Sequence, residues 1–266
     1  MEAGLPLATV ALLVAVAALA AALDAIAGGG GLVTVPALLL AGLDPVAAIA
    51  TNKAQGAASA LSSTLAFARR GFIPWRQAAP AALVAAGGGL AGAFGVHLAP
   101  RALLEAVVPL LLIAVAFFFA RTRILRGEDG PPRPRASALL AGAMAGVGLY
   151  DGAFGPGAGS FYLLAFAGLR GFGALRATGA VKLVNAASNM AALALFAAAG
   201  AVVWSVGLAM AAGAIAGAQI GARLAMRFGP RAIRPLVVLV SAALAARLLA
   251  DPANPLTAHL LLWFAG

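Results

Sequence analysis

"DAIAGGGGLVTVPALLLAGLDPVAAIATNKAQGAASA" (residues 24–60) interrupts a long apolar chain twice, first with four consecutive glycines and then with a lysine among polar neighbours. Irregular backbone and charge are both costly in a hydrocarbon environment, where no water satisfies them. That environment is what the rest of the chain describes. Of its 266 residues, 63% are hydrophobic and 10% charged, with a mean hydropathy of +1.02. A soluble domain has about 45–50% apolar and about 25% charged residues. Apolar runs of roughly 18 residues or more recur along the sequence, each long enough to cross a bilayer as a helix. The chain reads as an all-α polytopic membrane protein.

The formal net charge of +10 does not point to nucleic acid. The arginines sit in short loops between apolar runs, as cytoplasmic loops of membrane proteins do. There is no cysteine, hence no disulfide and no thiol-ligated metal. Met1-Glu2-Ala3-Gly4 lacks a basic stretch, so the first apolar run is expected to be a retained helix rather than a signal peptide.

The segment has a second copy. Shifting the chain by 129 residues pairs Lys53 with Lys182, Ser59 with Ser188, Phe67 with Phe196, Gly71 with Gly200 and Trp75 with Trp204. Asp24 and Asp151 each lie 27 residues before a threonine, Thr51 and Thr178, and glycine clusters follow both aspartates. A duplication explains this. Each half has five apolar segments: 5–27, 31–43, 46–68, 77–98 and 101–120, then 136–154, 159–169, 174–199, 203–225 and 232–250. The second of each set spans only about 17–20 Å as a helix, too short to cross comfortably. It is expected to be a half-helix broken at the glycines.

Loop charge predicts how the halves are arranged. "RRGFIPWR" (69–76) holds three arginines and its partner at 200–205 none, whereas the turn near 97–101 holds one and its partner at 223–234 four. Corresponding loops alternate, so the expected architecture is a pair of inverted-topology repeats. The first covers 1–120 and the second 136–250, joined by a cytoplasmic linker at 121–135 and followed by a tail at 251–266. Both termini are expected outside.

Two sets of residues could carry chemistry. Gly28, Gly29, Gly30 and Gly31, with Gly155, Gly157 and Gly159, can turn successive N–H groups towards an anion ahead of a short helix. Scattered glycines such as Gly87, Gly88, Gly89, Gly213, Gly217 and Gly221 read instead as close helix packing. Thr178, Lys182, Asn185 and Asn189 share one helical face, with Ser188 beside them. Asn52, Gln55, Ser59 and Ser63 form a similar stripe, with Thr51 just before it and Lys53 at its edge. Each lysine lies about 12 Å into its helix. A lysine at mid-membrane costs about 2.5–3.5 kcal/mol on insertion scales. Three readings account for keeping it: positive charge for an anionic substrate, a side chain that snorkels towards an interface, or a buried pair with Asp24 or Asp151 that fixes the fold. The aspartates are in turn either proton or ion carriers, caps of backbone N–H groups, or counterions to the lysines. No metal site, cofactor motif or catalytic constellation is found, so no enzyme activity is expected.

At these residues the sequence resembles the sulfite exporter TauE/SafE family of membrane transporters. The resemblance rests on 24–75, on "GLYDGAFGPGAGSFYLLAFAGL" (148–169) and on "ATGAVKLVNAASN" (177–189), and with the duplicated helices it covers essentially the whole chain. It implies export of small sulfur-containing or organic anions such as sulfite, sulfonates and sulfoacetate, with these polar residues along the path. The expected protein is a secondary transporter in the cell membrane, the bacterial inner membrane, with a small anion and a coupling proton or ion as partners. A homo-oligomer stays open, and so does an anion channel built on the same polar pathway.

Overall fold

The computed structural model describes residues 4–121 and 137–228. Most of the linker, the segment 232–250 and the tail 251–266 lie outside the described residues. Within them the chain forms nine α-helices and no strand. These are α1 (Leu7–Ala27), α2 (Gly31–Leu40), α3 (Pro45–Arg69), α4 (Trp75–Leu98), α5 (Arg101–Arg121), α6 (Ser137–Ala153), α7 (Ala158–Ala165), α8 (Ala174–Ala198) and α9 (Trp204–Phe228). A π-helical turn, Phe166–Arg170, extends α7. Four of them, α1, α4, α8 and α9, are long and apolar enough to cross a membrane. With 25 residues, α3 has the same length as α8, but its polar face lowers its mean hydropathy.

Local chemistry sets the boundaries. α1 stops where Gly28 turns left-handed (φ 78°) and donates its N–H to the Asp24 carbonyl at 2.8 Å. α3 starts at Pro45, whose fixed φ suits a first helical position, behind Asp44, whose carboxylate accepts from the N–H groups of Val46 and Ala47. With 10 residues, α2 is about 15 Å long and cannot cross a hydrocarbon core of about 30 Å. The bounds keep the 129-residue spacing found in the sequence. α3 and α8 start and end 129 residues apart, and so do the starts of α4 and α9. Gly71 and Gly200, one register apart, both have positive φ.

The helices pack mainly as α1 on α9, α4 on α6, α3 on α9, α4 on α8 and α3 on α8. Small residues make the closest seams, since in lipid association rests on tight packing rather than on hydrophobic exclusion. Gly213, Gly217 and Gly221 of α9 lie against the backbone of Val14, Ala18 and Ala22 of α1. Gly88 and Gly92 of α4 meet the backbone around Leu149 of α6, while Gly148 and Gly152 meet Ala85 and Gly89. Gly87, read from sequence as a packing glycine, instead faces open space. It lies on the outward side of α4, one residue from the seam.

Residue numbers rise together along both seams, so α1 runs parallel to α9 and α4 parallel to α6. Thr51 meets Val203 and Ser62 meets Gln219, which makes α3 parallel to α9 as well. Phe72 and Gly89 meet Gly179 and Ser188, which makes α8 parallel to α4. A short turn joins α3 to α4, so α1, α3 and α9 point one way and α4, α6 and α8 the other. At the centre, α3 and α8 bring their polar faces together beside the two helix breaks.

Candidate functional site

Both lysines are in the interior, and both are paired. Lys53 is fully buried and its Nζ lies 3.1 Å from Asp151 Oδ1; Lys182, at 1% exposure, lies 3.1 Å from Asp24 Oδ2. Each lysine also donates to the backbone carbonyl of the same aspartate. Asp24 and Asp151 are in the last turns of α1 and α6, where carbonyls lose their helical partners and the helix dipole is negative. A lysine from α3 therefore caps the broken end of α6, and one from α8 caps the broken end of α1. The bridges cross between the halves. In this structure both ammonium groups are held by carboxylates rather than facing the centre unpaired.

The remaining bonds pin both carboxylates. Asp24 Oδ1 accepts from the Gly30 N–H at 3.2 Å, tying the end of α1 to the start of α2. Asp151 Oδ2 accepts from Asn189 Nδ2 at 3.2 Å, and the same nitrogen donates to the Asn185 carbonyl. The two glycine breaks then meet. A Cβ on Gly28 would sit 2.7 Å from the Gly159 carbonyl carbon, and one on Gly31 would sit 3.0 Å from Pro156 Cα. Close approach of backbone to backbone is what the glycines permit here. Tyr150 holds the second break by donating its hydroxyl to the Pro156 carbonyl.

Beside this junction is a cavity of about 40 Å³. A water needs roughly 10–15 Å³ on such a measure, so the space suits about three waters or a small oxyanion. Among its walls are Asp24, Gly30, Gly31, Asn52, Gln55, Ser59, Asp151, Gly155, Gly159, Asn185 and Asn189. Every one of these was singled out from the sequence. Other candidates are elsewhere. Lys53 and Lys182 stand behind their aspartates. The Thr51 hydroxyl accepts from the Val203 N–H just before α9, and Thr178 donates back to the Ala174 carbonyl within α8. Gly28, Gly29 and Gly157 shape the breaks without lining the cavity.

Thr34 is a residue the sequence reading missed. It is fully buried and its hydroxyl donates to Asn52 Oδ1 at 2.6 Å, while Gln55 Nε2 donates to the same Oδ1 at 2.7 Å. With its oxygen doubly engaged, Asn52 keeps its amide NH₂ as a donor for whatever enters the cavity. The available signal was that Thr34 is the one hydroxyl in the apolar helix "GLVTVPALLL". Gly56 and the α1 residues Ala20 and Ala21 complete the wall, and being small and uncharged they carried no signal. Among the described residues, Ser59 Oγ and Asn185 Oδ1 are buried at the cavity without a hydrogen-bond partner. They add a hydroxyl and an amide oxygen to the groups a solute can meet. No cluster of three or more His, Cys, Asp or Glu side chains suited to a metal occurs among the described residues.

An all-helical membrane protein with a polar cavity at two facing helix breaks belongs, as a class, with the membrane transporters. The comparison with known families specifies which. The profile of the sulfite exporter TauE/SafE family matches residues 13–248, and the chain belongs to that family. It is 44% identical over 246 residues to the probable membrane transporter protein ORF9 of Sinorhizobium, covering 92% of this chain and 94% of that one. To the probable membrane transporter protein YfcA of Escherichia coli it is 42% identical over 238 residues, 89% and 88% of the two chains. A probable membrane transporter protein of Haemophilus influenzae is 38% identical over 253 residues, 94% of this chain and 98% of the other. No solved structure matches. The chain is a multi-pass membrane transporter, and its relatives are transporters rather than enzymes.

Proposed function

We propose that this chain is a secondary transporter exporting small anions, sulfite, sulfonates and other small organic acids among them, by alternating access around the central cavity. The observation that carries the reading is the pair of crossed lysine–aspartate bridges flanking a cavity where two broken helices meet. The family's description as sulfite exporters agrees with an anionic solute.

The charges suit coupling to a proton or another ion. Asp24, Asp151, Lys53 and Lys182 sum to zero, and both carboxylates border the cavity. An anion entering there is repelled by the carboxylates, strongly so where the dielectric constant is low. It is accommodated when a carboxylate is neutralised and its lysine is released to the solute. Asp24 is the more accessible, its side chain 16% exposed against 2% for Asp151. A proton taken up by Asp24 frees Lys182 for the anion, and the amide of Asn52 supplies a further donor. Proton and anion then travel together.

The halves provide the moving parts. What supports inverted repeats is that α1, α3 and α4 run opposite to their repeat partners α6, α8 and α9. Arg69, Arg70, Arg76, Arg170, Arg176, Arg223 and Arg227 all lie towards one end of this arrangement. By the positive-inside rule that end is cytoplasmic, together with the 121–135 linker, and both termini are outside. Because the chain lacks cysteine, one cysteine introduced into the linker is a clean probe. Impermeant maleimide is expected to reach it only after the membrane is opened. Labelling of intact cells would reverse the orientation.

The transport reading is tested in proteoliposomes loaded with sulfite, sulfonates or carboxylates. Saturable flux accompanied by proton movement is expected. Asp24→Asn, Lys53→Ala and Lys182→Ala are each expected to lower it by about thirty-fold, the equivalent of about 2 kcal/mol for a charge-assisted hydrogen bond. Unchanged flux in all three at equal protein level would sink the proposal. Flux that never saturates and ignores an opposing proton gradient would mark a channel instead.

A further inference from the structure

A second cavity, separate from the central one, opens between α4 and α6 at the arginine-rich end and measures about 200 Å³. Arg76, in the first turn of α4, and Arg170, at the end of the π-helical turn, stand over it, with Gln77 and Ser137 between them. The Nε of Arg170 is buried and has no hydrogen-bond partner, and no carboxylate pairs with either arginine, among the described residues. Below the arginines the walls turn apolar. Leu140 and Met144 are buried at the back, whereas Val84 and Ala141 are exposed along the outward rim. One residue from Arg76, Trp75 is 53% exposed, where an interfacial aromatic is expected.

We propose that this groove binds an anionic glycerophospholipid, its phosphate on Arg76 and Arg170 and the start of an acyl chain along Val84, Ala141 and Met144. Two guanidinium groups lining one groove offer N–H donors of the kind that fit a phosphate, and the polarity of the groove falls from head to tail as that of a lipid does. A free phosphate or small acid has no use for the apolar floor. A zwitterionic headgroup brings its own cation beside the arginines, whereas an anionic one brings net negative charge. Basic recesses between membrane helices at the cytoplasmic side are suited to such headgroups. The orientation proposed above sets only which leaflet supplies the lipid; binding itself does not depend on it or on the transport reading.

The test is lipid retention, read by native mass spectrometry of the purified full-length chain in detergent. Dioleoylphosphatidylglycerol is offered against dioleoylphosphatidylcholine. Wild-type protein is expected to prefer the anionic lipid by roughly thirty-fold, about a factor of five to six for each arginine. Arg76→Gln/Arg170→Gln should bring that preference to within about two-fold of unity, while Arg227→Gln, a basic residue away from the groove, should leave it intact. Ala141→Trp keeps both arginines but fills the rim, and is expected to lose the lipid as well. Equal preference in wild type and the double variant would overturn the proposal, as annular lipid alone would give that result. Displacement by millimolar inorganic phosphate, with Ala141→Trp unaffected, would overturn it in favour of a free-anion site.

Discussion

Lys53→Met is expected to destabilise the folded protein by about 3–5 kcal/mol, and the double variant Lys53→Met/Asp151→Leu to regain most of that loss. The asymmetry follows from where the charges are. Asp151 is 2% exposed and faces Lys53 Nζ at 3.1 Å. Removing the lysine strands a carboxylate in the interior and at the same time unties the Asp151 carbonyl at the end of α6. Removing both charges leaves two apolar side chains of similar bulk, and such replacements are often neutral. Lys182→Met should cost less, because Asp24 is the more exposed of the two carboxylates, 16% against 2%. Thermal denaturation of the detergent-solubilised protein measures all three. The double variant should fold and yet transport nothing. Full transport by it would show that the bridge serves only the fold, and a single variant within about 1 kcal/mol of wild type would show that Asp151 needs no partner.

Gly152→Val is expected to give the other large effect, loss of monodisperse folded protein or a fall in transport beyond ten-fold (about 1.4 kcal/mol). A Cβ at position 152 would overlap the Gly89 carbonyl oxygen and stand 2.8 Å from Gly89 Cα. Backbone atoms on a neighbouring helix cannot step aside, so α4 and α6 must separate along a seam of four glycines. Overpacking of this kind costs about 1–3 kcal/mol or more. The displacement also moves Asp151, the adjacent residue, away from Lys53. Gly146→Ala on the same helix is the control: nothing lies within 4 Å of its added methyl, so it should be near neutral. If size-exclusion profiles and flux of the two variants coincide, the contact between α4 and α6 is not the close one described.

Much of this was written locally. The glycine breaks and the short second helices follow from spacing within one half, the register between Lys53 and Lys182 from comparing the two, and 11 of the cavity residues from the polar faces and breaks. The partners of the lysines do not. A spacing of 27 residues between aspartate and threonine says nothing about which half a lysine turns towards, and the bridges cross 98 and 158 residues of sequence. Thr34 was hidden because a lone hydroxyl in an apolar helix usually bonds its own backbone; here it bonds the Gly30 carbonyl and Asn52 as well. Gly87 shows the opposite limit. Composition marks a stretch as small enough for close packing, but only the facing helix decides which of three consecutive glycines is used.

The crossed bridges also fix an order in time. Lys53 is synthesised 98 residues before Asp151, and Asp24 158 residues before Lys182. At roughly 5–20 residues per second the lysine waits about 5–20 s for its counterion, and the aspartate about 8–30 s. During that interval the nascent first half carries Lys53 and Asp24 without their final partners, each in a segment bound for the bilayer. The first half alone lacks the partners that hold its two charges in the final fold. Docking of α6 and α8 brings in Asp151 and Lys182, so the second half is expected to complete the charge pairing that the first half begins.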